Sequence, residues 1–293
     1  IMEHIEEAGI HSGDSCSVYP PFSLDASILD EIKELTYLIT KKLKIIGFIN
    51  IQFAIYNDKV YLIEVNPRAS RTVPFISKAS GIPLTKLSIY AMLGNKFKEF
   101  KNEFSPIQNH YAVKTPVFSF RKFPGVDTVL GPEMLSTGEV MGLSEFFGEA
   151  YIKSQIAAGN ELPTKGNIFI SVNDYDKKRI VPIARKLKNL GFNLFATIGT
   201  FSYLHVEGIE CNLIQKIDKG HPNVIEMMNS GNIHLIINTP LGRKAYQDDL
   251  LIRSTALFNN IPCITNIEAA KAAADGMVWL QKHQISLHQP LKY

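Results

Sequence analysis

Hydrophobic residues recur along the chain in two rhythms. Between Ser23 and Leu43 they fall three to four apart, at Ile28, Ile32, Leu35, Ile39 and Leu43. That spacing predicts a helix with one buried face, capped by Ser23 or Ser27. From Phe48 the period shortens to two, so Phe48–Tyr56 and Val60–Val65 read as the strands of a hairpin turning through Asn57-Asp58. A two-residue loop would mix polar and apolar side chains on both faces. A three-residue loop, Asn57-Asp58-Lys59, pairs Tyr56 with Val60 and Gln52 with Glu64. It also gathers Ile51, Phe53, Ile55, Tyr61, Ile63 and Val65 on one face. A one-residue slip exchanges faces, so a buried face selects the second register.

Two helices follow, near Ile76–Ser80 and Leu84–Leu93, then a charged connector over residues 96–106. His110–Phe120 is extended, Ser136–Gly142 a short strand, and Ser144–Ala158 a helix. Gly159–Gly166, with Asn160, Pro163 and Lys165, reads as a linker. Beyond it strands at Ile168–Val172, Asn193–Thr197, Asn212–Gln215, His234–Asn238 and Ile261–Thr265 each lead to a helix. Asp174 is the expected cap of the first, and Pro182 predicts a kink or a late start there. Strand–helix alternation at this spacing means a parallel sheet covered on both faces. The expected class is α/β, with an α+β domain over residues 1–159 and a doubly wound parallel-sheet domain over 160–293.

Composition narrows the function classes. A net charge of +3 over 293 residues gives no reason to expect nucleic acid or a membrane as partner. No apolar run approaches the roughly 18 residues of a membrane span. Cys16, Cys211 and Cys263 are far apart and lack CxxC spacing, which reads as reduced thiols in a cytoplasmic protein. Ile1-Met2-Glu3-His4-Ile5-Glu6 looks like mid-strand sequence, so the chain reads as a fragment of a longer protein.

The candidate chemistry begins at Ile63-Glu64-Val65-Asn66-Pro67-Arg68-Ala69-Ser70-Arg71. A carboxylate and an amide two residues apart share one face of a strand end, read as buried, and guanidinium groups follow. With Gln52 opposite Glu64, these hard oxygen ligands suit Mg2+ (or Mn2+) held together with substrate phosphates. The plainer alternative is a capped strand end with Glu64 paired to Arg68 or Arg71. The loop His11-Ser12-Gly13-Asp14 by itself reads as an ordinary solvated turn.

A second candidate lies beyond the carboxyl ends of the parallel strands, where such sheets bind ligands. Those ends carry Ser171, Thr197, Gly199, Thr200, Lys216, Asn238 and Thr239, and Lys177 lies near. Hydroxyls, an amide, two lysines and helix N-termini at one edge point to an anion. Helix capping explains each hydroxyl singly. Asp218 and His221 stand in these loops, but no carboxylate pairs with the Thr-x-Gly-Thr loop, so binding without chemistry is expected.

The run from Glu64 to Phe75, followed by Ser77-Lys78-Ala79-Ser80-Gly81, resembles the second ATP-grasp unit of the carbamoyl phosphate synthetase large subunit. Lys122 to Asp127, Gly131-Pro132-Glu133-Met134 and Ser136 to Gly142 resemble the close of the same unit. The last ~130 residues resemble the methylglyoxal-synthase-like regulatory domain, within the usual size of a domain.

The resemblance implies ATP-dependent phosphorylation of carbamate, feeding pyrimidine and arginine biosynthesis. It implies that Gln52, Glu64 and Asn66 hold the metal ions, that Arg71 contacts phosphate, and that Gly9, Ile10, His11 and Ser12 line the nucleotide. Ser171, Lys177, Thr197, Gly199, Thr200, Lys216, Asn238 and Thr239 fall on positions that bind an allosteric nucleotide, UMP or IMP. The implied partner is a glutaminase small subunit, with homo-oligomerisation possible. Methylglyoxal synthase chemistry is not expected, because its Gly-Gly-Asp loop is replaced by Lys219-Gly220-His221-Pro222.

Three positions depart from the pattern. Pro240 stands where a threonine is usual, which weakens part of the nucleotide contact. Glu6 and Asp14 match an ornithine site, but Thr115 and Cys263 replace its glutamate and tyrosine, so ornithine activation is expected to be weak or absent. Two functional readings follow. One is the C-terminal part of a synthase large subunit, the distal half of an ATP-grasp unit plus a regulatory domain, inactive alone; the other is a nucleotide-binding regulatory module whose working site lies in residues 160–293. A biotin-dependent carboxylase is disfavoured because no biotin-carrier Met-Lys-Met follows.

Overall fold

The computed structural model describes residues 1–96, 109–122, 128–215, 217, 220–239 and 246–286. The first strands, β1 (Glu3–His4) and β2 (Ser17–Tyr19), lead to helix α1 (Ala26–Leu43). Neither predicted serine caps α1. The N-cap is Asp25, and the Ser23 hydroxyl is taken by Glu3, whose carboxylate also accepts the Phe22 and Ser23 N–H groups. Only Ile28 and Ile32 of the apolar stripe are buried, and Leu43 is exposed.

The hairpin is β3 (Asn50–Tyr56) and β4 (Lys59–Asn66). It sets Gln52 opposite Glu64 as expected, by a different route. The loop is two residues, not three: Tyr56 pairs with Lys59, and Asn57 and Asp58 both take positive φ, 49° and 58°. Two successive residues in that conformation make the tight turn whose twist matches a hairpin. Phe53 then pairs with Leu62 while Gln52 pairs with Glu64, so Ile63 is the extra residue of a bulge. Tyr61 faces Ala54 and leaves the face predicted for it. Burial does not select this register, since Ile55, Tyr61, Leu62 and Ile63 are all exposed. Turn chemistry and the bulge set it instead.

Next come α2 (Thr72–Ser80), α3 (Leu84–Met92), β5 (Tyr111–Phe118), β6 (Ser136–Ser144) and α4 (Phe147–Ala157). Gly81 ends α2 at φ 72°, a left-handed cap that suits glycine. Strands β1, β2, β5 and β6 form an antiparallel sheet in that order. Its contact with α4 has no room for a side chain at Gly142. A Cβ there would lie 1.9 Å from the Ala150 carbonyl oxygen and 2.5 Å from the Ser154 nitrogen.

The remainder alternates as predicted. The elements are β7 (Asn167–Val172), α5 (Lys177–Asn189), β8 (Asn193–Ala196), α6 (Ile198–Val206), β9 (Asn212–Leu213) and α7 (Val224–Asn229). They continue with β10 (Leu235–Thr239), α8 (Tyr246–Phe258), β11 (Cys263–Ile264) and α9 (Ile267–Lys282). All five strands are parallel, in the order β11-β10-β7-β8-β9. Helix α5 starts late, with Asp176 rather than Asp174 at its N-cap, and Pro182 remains inside it.

One buried apolar cluster runs through both sheets, from Ile5, Val18 and Val113 through Tyr151 to Ile168, Ala273 and Met277. Helices α4 and α9 meet at two glycines: a Cβ on Gly276 would lie 2.8 Å from Ile152, and one on Gly148 3.2 Å from the Trp279 Cβ. Glu149 fastens the same junction. It accepts from the Ser144 hydroxyl, from the Ser286 N–H (2.7 Å) and hydroxyl (2.5 Å), and pairs with Lys153 at 3.1 Å. Burial opposes its charge, but these hydrogen bonds outweigh it and hold the carboxyl at about 2.

Candidate functional site

Two depressions hold the candidate residues. The larger, of about 1290 Å3, lies between the hairpin and the antiparallel sheet. Gln52, Glu64 and Asn66 stand on its wall with Arg68, Arg71, His11 and Ser12. Asn50 faces Asn66 and Gln52 faces Glu64, so four polar side chains cluster at one end of the hairpin. Gly9 and Ile10 are not on this wall. Glu64 is exposed, which corrects the expectation of a buried carboxylate, and Asn66 is half-buried. A strand end open to the cleft leaves the carboxylate within reach of a ligand.

The arginines are not spent on Glu64. Arg68 donates to the Ala69 carbonyl at 3.0 Å. Arg71 donates to the Ser136 carbonyl and hydroxyl, both at 3.3 Å. Ser136 is held in turn: its N–H donates to Asp14 Oδ1 at 2.9 Å, and its hydroxyl donates to the Gly13 carbonyl at 3.1 Å. Asp14, fully buried, also accepts the Leu135 N–H at 2.7 Å. The loop read as a solvated turn is therefore a brace between Arg71 and the sheet. His11 Nδ1 accepts the Gly13 N–H at 3.0 Å and fixes its shape.

Sequence reasoning missed the buried cation under this loop. Lys114, wholly buried on β5, donates to the Ser12 carbonyl at 3.0 Å. Burial pushes its ammonium below the usual range, against the pull of Glu139. Burial likewise raises the Glu6 carboxyl to about 7, and burial with the nearby Lys114 charge lowers His4 to about 4. All three line the cleft. A lysine between Val113 and Thr115 in a β pattern carries no signal that its side chain runs inward beneath a loop. Thr115, one of the positions departing from the ornithine pattern, bonds to Ser154 at 2.7 Å, and Cys263 lies on the other sheet.

Among the described residues no three His, Cys, Asp or Glu side chains cluster to hold a metal ion. The donor set at the hairpin still fits a hard divalent cation. It offers one carboxylate and amide oxygens, with the remaining coordination left to ligand phosphates and water, as Mg2+ prefers.

The smaller depression, about 510 Å3, opens at the carboxyl ends of β7 and β10. The chain runs outward from β7 to β9, then returns on the other side through β10 and β11. This is the switch point where doubly wound sheets take ligands. Ser171, Lys177, Thr197, Gly199, Thr200, Asn238 and Thr239 all line it. Lys216, Asp218, Lys219 and Pro240 lie outside the described residues.

These polar groups divide into two kinds. Thr200 accepts the Val172 N–H at 3.1 Å, and Thr239 accepts the Asn173 N–H at 3.1 Å. Asn238 donates to the Ser171 carbonyl (3.4 Å) and to Asp249 (3.0 Å), and accepts from Arg253 (3.4 Å). These three side chains brace the crevice floor. The other kind faces the opening. Thr197 sits at the N-cap of α6 without capping it, because its hydroxyl pairs with Ser171 at 3.1 Å. Simple capping therefore does not account for Thr197, and the first N–H groups of α6 are left for an anion. Asn173, Asp249 and Arg253 were not legible as site residues; charged positions on a helix read as solvated, yet Arg253 is wholly buried.

No helix among the described residues is long and apolar enough to cross a membrane. Residues 2–100 match the family described as carbamoyl-phosphate synthase L chain, ATP binding domain, and residues 179–265 match the MGS-like domain. The carbamoyl phosphate synthase large chain of Acidobacterium capsulatum is 50% identical over 98% of this chain, which spans 27% of that relative. The protein named carbamoyl phosphate synthase large chain, C-terminal section, of Methanopyrus kandleri is 50% identical over 98% of the chain, which spans 55% of it. The corresponding section from Aquifex aeolicus is 43% identical over 96%, and the chain spans 56% of it.

Proposed function

From the premise that this chain belongs to the carbamoyl phosphate synthase large-chain family, we propose that its larger cleft is part of an ATP site that phosphorylates carbamate. The observation that supports this most is the hairpin end. Gln52, Glu64 and Asn66 share a wall with Arg71, whose guanidinium is braced by Ser136. Phosphoryl transfer asks for positioning and charge neutralisation more than for a covalent nucleophile. Bound Mg2+ or Mn2+ would neutralise charge on the nucleotide phosphates. Gln52, Glu64 and Asn66 would hold the ion, Arg71 would meet the transferring phosphoryl group, and His11 and Ser12 would border the nucleotide, with Gly9 and Ile10 set back from the wall.

In this reading the division falls at 159/160, and the crevice of residues 160–293 is an allosteric site for UMP or IMP. Ser171, Thr197, Gly199 and Lys177 meet the phosphate with Lys216, while Thr200, Asn238 and Thr239 shape the floor. The chain works within a larger cytoplasmic synthase, beside a glutaminase small subunit and with homo-oligomerisation open to it, in pyrimidine and arginine biosynthesis. Alone it forms no carbamoyl phosphate. ATP-dependent formation of carbamoyl phosphate by the isolated chain would overturn that statement.

The crevice is tested separately by calorimetry with UMP and IMP. One of them should bind, and Lys177→Ala should weaken it about tenfold, near 1.4 kcal/mol, through loss of a charge-assisted contact. If neither nucleotide binds, the crevice residues are only braces of the sheet edge.

A further inference from the structure

Lys177 stands where helix electrostatics disfavour a cation. It is the first residue of α5, whose first turn contains no acidic side chain. Its ammonium also lies against the start of α6, 3.5 Å from where a Cβ on Gly199 would be. Helix N-termini carry partial positive charge and favour anions. A lysine at the meeting point of two of them calls for a negative group, and one is present. Asp174 Oδ1 lies 2.6 Å from Lys177 Nζ, and its side chain is 86% exposed, at the mouth of the crevice.

The loop holding Asp174 is built rather than loose. The Asn173 side chain accepts the Tyr175 and Asp176 N–H groups at 2.9 and 3.2 Å and donates to Asp176 at 2.8 Å. Asp176, not Asp174, occupies the α5 N-cap. Capping therefore does not explain Asp174, and its contact with Lys177 does.

We propose that Asp174 is a resident counter-ion of this crevice. It neutralises Lys177 until a phosphate ester takes its place, and so sets both affinity and selectivity. This rests on reading the crevice as a phosphate-nucleotide site. A doubly charged phosphate outcompetes a single carboxylate at two helix N-termini. A nucleoside without phosphate leaves the Asp174–Lys177 pair intact.

The test is titration of the protein carrying this section, wild type and Asp174→Asn, with UMP, IMP, inorganic phosphate and the free nucleosides uridine and inosine. An exposed ion pair is weak, and removing the carboxylate also removes its repulsion of the ligand. Asp174→Asn should therefore bind the phosphate-bearing probe roughly three- to tenfold more tightly. Nucleoside affinity should not change, and Asp174→Glu should behave as wild type. Wild-type binding of a phosphate probe that Asp174→Asn leaves equal or weaker overturns the counter-ion role alone. Equal strengthening of nucleoside and nucleotide also overturns it. A wild type that binds none of the phosphate probes overturns this inference and the site reading together.

Discussion

Glu64→Gln should abolish carbamoyl phosphate formation in a full-length synthase carrying this section, by about 10²–10³-fold or more. The change keeps the shape of the side chain and removes its charge. Of the polar groups at the hairpin end, Asn50, Gln52 and Asn66 are neutral, so Glu64 is the sole anion of the set. A hard divalent cation held by amides alone loses most of its grip. Glu64 is exposed and lies at the end of a two-stranded sheet, so the variant should fold and melt as the parent does. Because Gln52 faces Glu64 directly, the exchange Gln52→Glu with Glu64→Gln returns the charge to the same cross-strand pair and should recover part of the activity. Steady-state assay of ATP-dependent carbamoyl phosphate synthesis decides the matter. Near-normal turnover of Glu64→Gln would remove it from the metal site.

The largest effect on stability is expected from one methyl group. Gly142→Ala should destabilise the protein by about 3 kcal/mol or more, or prevent folding. The added carbon would sit inside the van der Waals surface of the Ala150 carbonyl and of the Ser154 nitrogen. Both are backbone atoms of α4, so neither can rotate aside; the strand and helix must separate along their contact. Gly138 on the same strand is the control, since a Cβ there meets nothing closer than 3.9 Å, at Val117. Gly138→Ala should change stability little. Denaturant melts of the two variants give the comparison, and equal stability of Gly142→Ala and the parent would show that β6 and α4 are not in backbone contact.

Much of the fold was legible because it is written in local periods. Five strand–helix repeats past residue 160 announce a parallel sheet, and the sheet is there. Errors arose where another residue claims the group. Ser23 has the chemistry of a cap, but Glu3 claims its hydroxyl. Asp174 looks like a cap, but its carboxylate goes to Lys177. The hairpin shows two errors compensating: a loop one residue shorter than expected and a bulge at Ile63 that restores Gln52 opposite Glu64. Asn57-Asp58 is a weaker turn signal than a pair ending in glycine, so sequence alone underrates it. At the larger cleft, the hairpin candidates sit close together in sequence, and the strand pairing keeps them together. The brace beneath Arg71 could not, because Ser136 and Asp14 are 122 residues apart and join only in the folded chain. The proposed reaction rests on membership of the family; residue spacing alone suggests only a cation and an anion.

The glycine contact between α4 and α9 has a consequence for the order of events during synthesis. Helix α4 belongs to the first sheet, yet one of its faces packs against the last helix. Glu149 waits still longer, since its partner Ser286 comes 137 residues later. Contacts that close such long loops form late and slowly. While the ribosome is still adding the second sheet, the α4 face and the Glu149 carboxylate stand open to solvent. That half-made surface is apolar at Ile152, and it is where a chaperone or a neighbouring nascent chain would attach.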